Sequence, residues 1–130
     1  MGTMTTIRLA LSTAMLVASV TGLSAHHVVT QFFDTSKLVT LQGTLTRVEW
    51  REPHVILRLE TRGGNGSPVS WSVETRNPQG LAQAGLNRES FKVGDRFSAT
   101  VCVAKDGTRW AVTHEISRPG NPADVGVGGC

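Results

Sequence analysis

The sequence predicts a mainly β domain, a small five-stranded Greek-key barrel of the OB-like kind with one short helix between strands 3 and 4. Three observations lead there. Residues 39–60 read as a long strand, a tight corner at Glu52-Pro53-His54 and a returning strand. The apolar face of that first strand changes sides near Thr46-Arg47, which a bulge achieves and which a strand bending through a closed barrel requires. The order along the chain, three strands, a short helix and two more strands, is that of the five-stranded barrel, and a plain sandwich has no need of the helix.

In the first strand Val39, Leu41, Gly43 and Leu45 share one parity, and Val48 and Trp50 share the other. Pro53 has no amide proton to give a ladder, so it marks a corner. In the second strand, residues 55–60, Val55, Leu57 and Leu59 are expected to face the core, with His54, Ile56, Arg58 and Glu60 turned away. Gly63-Gly64-Asn65-Gly66-Ser67-Pro68 is a turn, after which Val69, Trp71 and Val73 mark the inner face of a third strand. Asn77 as cap and Pro78 in the first helical position start a helix over residues 78–84, which Gly85 stops.

A second turn at Asn87-Arg88-Glu89-Ser90 leads through Phe91 to a fourth strand, residues 96–104, with Phe97, Ala99, Val101 and Val103 inward. Asp106-Gly107 predicts a type I′ hairpin. In the fifth strand, residues 109–116, period-two counting places Trp110, Val112, His114 and Ile116 on one face, making His114 a partly buried core histidine bonded to a carbonyl. From Arg118 on, Pro119, Gly120, Asn121 and Pro122 predict a flexible tail over residues 118–130.

The first 25 residues have the form of an export signal. Arg8 is their only charge, residues 9–20 are apolar over too short a length to span a bilayer, and small residues precede a cut expected after Ala25. The chain then divides into a signal peptide (1–25), an amino-terminal arm (26–37), a barrel domain (38–117) and the tail. Without a cysteine soon after the apolar segment no acyl tether is expected, so the product is periplasmic or secreted with no stable membrane anchor. Cleavage leaves 12 of the 13 basic residues against 10 acidic ones, a charge of +2 spread along the chain. A nucleic-acid partner is not expected from so weak and dispersed a field. Cys102 and Cys130 would meet oxidising conditions, where pairing is allowed. Because nothing in the Gly-rich tail is shaped to dock, free or intermolecularly paired thiols are the expectation.

Chemistry rests on four histidines. After cleavage His26 would be the amino terminus, and its amine and imidazole together chelate one metal ion, with His27, His54 or His114 adding a nitrogen to a site suited to Cu(II). The bland alternatives are a solvated terminus, an exposed corner residue at His54 and a core residue at His114. Catalytic residues are not expected, since there is no Gly-x-Ser-x-Gly elbow, phosphate-cradling loop or His-Glu-x-x-His pair. Arg47, Glu49, Arg58, Glu60, Glu74 and Arg76 alternate in sign and read as cross-strand pairs on a solvated face.

Several of these segments occur together: His26-His27 after the signal, Phe33-Asp34, the run Val39 to Trp50, Pro53-His54, Asn77-Pro78-Gln79-Gly80-Leu81 and Lys105-Asp106-Gly107. In this combination the chain resembles a family of small exported bacterial proteins known only by a domain-of-unknown-function label. The resemblance covers most of residues 26–116 and implies export and a shared small β fold, without an activity. The chain departs from it at Glu52, where the family usually has Asn, and at Val28-Val29, where an aromatic often follows the histidines. The expected function is a non-enzymatic binding module for a small ligand, with a copper-binding protein and an envelope protein-interaction or structural module as alternatives.

Overall fold

A computed structural model describes residues 25–118, 121–126 and 130, with side chains throughout except at 25–28 and 121–126. Apart from Ala25, the expected signal peptide lies outside the described residues. The elements are α1 (Ala25–Phe32), β1 (Val39–Glu49), β2 (Ile56–Arg62), β3 (Pro68–Glu74), α2 (Pro78–Gln83), β4 (Arg96–Val103), β5 (Trp110–Arg118) and β6 (Asn121–Gly126). Strands run in the order β3-β2-β1-β4-β5-β6, and a parallel pairing of β3 with β5 closes the first five into a barrel. The expected mainly β barrel, with its short helix between the third and fourth strands, is present.

Local sequence explains much of it. β1 pairs with β4 from Val39 opposite Val101 and with β2 from Thr44 opposite Glu60, so one long strand belongs to both halves of the barrel. Thr46 is the extra residue of a bulge: Leu45 faces Leu59, and the next paired residue, Arg47, faces Arg58. That bulge moves Val48 and Trp50 to the parity that packs on the core. Gly43 is required where β1 crosses β2, since a Cβ there would lie 2.5 Å from the Glu60 carbonyl oxygen.

The core is formed by the inward residues of all five barrel strands, including Leu45, Leu57, Leu59, Val73 and Val101. α2 closes one end of the barrel. Asn77 caps it by accepting from the Gly80 amide at 2.8 Å, Pro78 opens it, and Leu81 is fully buried, which contributes about 2 kcal/mol. Leu86 and Phe91 join the plug, with Phe91 stacked on Phe97 at 5.8 Å.

Four expectations are corrected. On β5 the inward residues are Ala111 and Thr113, both 0% exposed, whereas Trp110 is 37% exposed and His114 is on the surface. The reason is a second bulge: Thr100 faces Glu115, Val101 faces Thr113, and His114 between them has no partner on β4. The extra residue restores Ile116 to the core and turns His114 out, so it is not a core histidine.

The hairpin turn is not type I′, because Gly107 has φ +79° but Asp106 does not have positive φ. Asp106 instead accepts from the amide and hydroxyl of Thr108. The tail does not lose regular structure at Arg118, for β5 runs through that residue and β6 pairs back along it.

Cys102 and Cys130 form a disulfide with Cα atoms 6.2 Å apart, in place of the expected unbridged thiols. Cys102 belongs to a second, smaller cluster with Phe33, Ala104 and Val112, against which Val29 and Cys130 pack. The amino-terminal arm is thereby a docked helix. Phe33 meets Trp110 edge to face at 4.7 Å, and Lys105 donates from Nζ to the Thr30 carbonyl at 2.7 Å.

Candidate functional site

The outer face of β1, β2 and β3 carries the densest set of polar contacts. Arg58 on β2 donates from Nε to Glu49 Oε1 on β1 at 3.2 Å and from Nη1 to Ser72 Oγ on β3. Glu49 also meets Arg51 at 3.2 Å and Arg47 at 3.8 Å, so the carboxylate sits between Arg47 and Arg58, which the register sets opposite one another, with Arg51 as a third cation. The hydrogen bond from Arg58 holds the Glu49 carboxyl below its usual range, assisted by the charges of Arg58, Arg47 and Arg51 and opposed by partial burial. The expected sign alternation is therefore a connected network across three strands.

Beside it lies the corner between β1 and β2, where the Glu52–Pro53 peptide bond is cis. His54 projects from this corner and is half exposed, with Nδ1 2.5 Å from Glu74 Oε1. Glu74 is held firmly. Its backbone pairs with Ile56 on one side and Val112 on the other, and its carbonyl accepts from the buried Thr113 hydroxyl at 2.9 Å. The next residue, Thr75, is also buried and donates to the Val55 carbonyl at 3.0 Å, which ties the corner to β3. Asn77 Nδ2 donates to Glu52 Oε2 at 3.3 Å, so the helix cap also braces the corner.

A carboxylate can only accept from Nδ1, so the ring presents Nε2 away from Glu74. The same logic applies to His114, whose Nδ1 lies 3.2 Å from the Cys130 carbonyl oxygen. Both imidazoles are thus anchored at one nitrogen, with no partner at the other among the described residues, as metal-binding histidines are oriented by their outer partners. Among the described residues, however, no three His, Cys, Asp or Glu side chains gather closely enough to hold an ion. The backbones of His26 and His27 lie in α1, while their side chains fall outside the described residues.

A family model with the description "Family of unknown function (DUF6152)" matches residues 14–113. The chain belongs to the DUF6152 family. The resemblance drawn from the histidine pair, the β1 run and the Pro-His corner is therefore confirmed, and what it carries is a domain family with a small barrel fold. No curated protein and no solved structure matches the chain. At the corner, where the resemblance led us to expect a departure, Glu52 accepts from Asn77.

Of the four histidines singled out, the structure places His54 and His114 on the outer surface at anchored positions. Sequence reasoning missed Glu74 and Cys130 as their anchors. Glu74 carried a signal only in its outward parity on β3. Its meeting with His54 depends on the 20-residue separation being closed by the β2–β3 register, which the pattern does not encode.

Proposed function

We propose that this DUF6152 protein is an exported, non-enzymatic binding module, periplasmic or secreted, that takes a small polar ligand on the outer face of β1–β3 beside His54. The single observation that carries this reading is the His54–Glu74 contact at the edge of the Arg58–Glu49–Ser72 network. Groups held by their neighbours before a ligand arrives lose little freedom on binding, which favours capture. The faces of OB barrels around strands 2 and 3 are also where such folds bind.

The test is a panel of sugars, amino acids, nucleosides and di- and tricarboxylates, titrated into ¹⁵N-labelled mature protein. Amide shifts that saturate and cluster at His54, Arg58 and Ser72, with the ligand recovered unchanged, are expected. Saturating shifts confined to another face, or chemical turnover of the ligand, would reject the reading.

A second reading, Cu(II) binding through the amino group and ring of His26 with His27, His54 or His114 adding a nitrogen, is favoured by one observation. His54 and His114 each have Nδ1 occupied by an oxygen acceptor and, among the described residues, no partner at Nε2, and α1 lies over the β4–β5 face that carries His114. Intact-mass analysis of exported protein must show His26 at the start. Cu(II) affinity should then fall when a Gly is added before it, and equal affinity for both forms rejects this chelate.

A further inference from the structure

The ladder between β1 and β2 ends at Thr44 opposite Glu60, although β1 continues alongside β4 as far as Val39. Beyond that point the two strands part. Leu45 exchanges backbone bonds with Asp95 and Gly94 on the β4 side, so by alternation Thr44, Gln42 and Thr40 turn their backbone groups toward β2. On β2, Gly63 bonds to Ser67 across the hairpin, which by the same alternation turns the Arg62 backbone toward β1. Both strand edges therefore present backbone groups to the gap between them.

That gap is a cleft of about 290 Å³ lined by residues that include Gln42, Arg62, Gly64, Trp71 and Arg109. Arg62 and Arg109 both line it, and among the described residues no Asp or Glu does. None of the ion pairs among the described residues involves Arg62 or Arg109. Each is nevertheless held in place. Arg109 lies over the Trp71 ring with its central carbon 5.1 Å from the centroid, and Arg62 donates from Nη1 to the Gly66 carbonyl at 3.1 Å. Among the described residues the acid that pairs with arginines elsewhere, Glu49, belongs to the outer network around Arg58.

We propose that this cleft is a second binding site, one for an oxyanion: a carboxylate or phosphate group held between the guanidiniums of Arg62 and Arg109 with strand-edge amides as further donors. A guanidinium stacked on an indole keeps its in-plane N–H groups free, and a planar fork suits two oxygens of one anion. The site is distinct from the His54 face and does not depend on it.

The test is titration of the mature protein with inorganic phosphate and, separately, with citrate, at constant ionic strength set with chloride. The Trp71 indole and the Gly63 and Gly64 amides report by NMR. Saturable shifts at these positions with either probe are expected, and which probe acts distinguishes phosphate from carboxylate. Arg62→Gln and Arg109→Gln should each weaken binding about tenfold, while Lys92→Gln, which removes the same charge from an exposed loop, should leave it unchanged. Shifts that rise without saturation, or an affinity in both arginine variants equal to that of the native protein, overturn the proposal. Arg62 stands on an exposed hairpin, so its variant keeps the test decisive should Arg109→Gln fail to fold.

Discussion

His54 and Glu74 meet at 2.5 Å across the β1–β2 corner and the end of β3, with the imidazole donating from Nδ1 and the carboxylate accepting. This contact makes the neutral ring the Nδ1–H tautomer with Nε2 as the open lone pair. Long-range ¹H–¹⁵N correlation spectra should show that tautomer for His54 in the native protein. In Glu74→Ala they should show a shift toward Nε2–H. An Nε2–H ring in the native protein would remove the basis for both readings of the corner.

The Cys102–Cys130 bridge spans a separation of 28 residues and holds the chain end against the cluster on which α1 packs. Closing a loop of that length stabilises by about 3.5 kcal/mol in the chain-entropy account. Reduction, or Cys102→Ser, should therefore lower the urea midpoint by a corresponding amount. Amide exchange at Phe33, whose N–H donates to Val29, should also quicken, because Val29 packs on that cluster. Unchanged exchange in the reduced protein would show that α1 docks without the bridge.

Gly43 and Gly64 offer a paired comparison. An alanine methyl at 43 meets the Glu60 carbonyl at 2.5 Å, and β1 and β2 must separate where the barrel closes, at a cost of about 2 kcal/mol. At 64 the same methyl meets nothing within 4 Å and the backbone needs no positive φ, so Gly64→Ala should be close to neutral. Chemical denaturation of the two variants decides; equal stability would mean that the strands do not cross so closely.

Glu49 gives a pH dependence with a definite sign. Its carboxyl is held below the ordinary range by the Arg58 hydrogen bond, so the folded state favours the ionised form. The resulting stabilisation is complete above the unfolded glutamate pKa and is lost as pH falls through the lower folded value. The stability gap between native protein and Glu49→Gln should therefore be widest near neutrality and narrow in acid. A gap independent of pH would separate Glu49 from the acid response.

Much of the barrel was legible because its signals are short-range. Strand alternation in β1, β2 and β3, the Thr46 bulge implied by a parity switch within one strand, and the Asn77-Pro78 helix start each depend on residues a few positions apart. The candidate site was legible only in part. His54 could be placed on the outer face from its own strand, but its partner Glu74 could not be inferred.

What the sequence by itself determined is the order of the barrel's elements and which face of each of the first three strands is buried, since alternation and turn chemistry act within a segment. Tertiary structure alone decided the rest. The His114 bulge exists only as a mismatch in count between β4 and β5, the Cys102–Cys130 bridge only because β6 returns along β5, and the opening between β1 and β2 only because their ladder stops at Thr44 while β1 continues beside β4 to Val39. Register and docking are set by contacts between distant segments, and a single strand's pattern holds no record of where its neighbour stops.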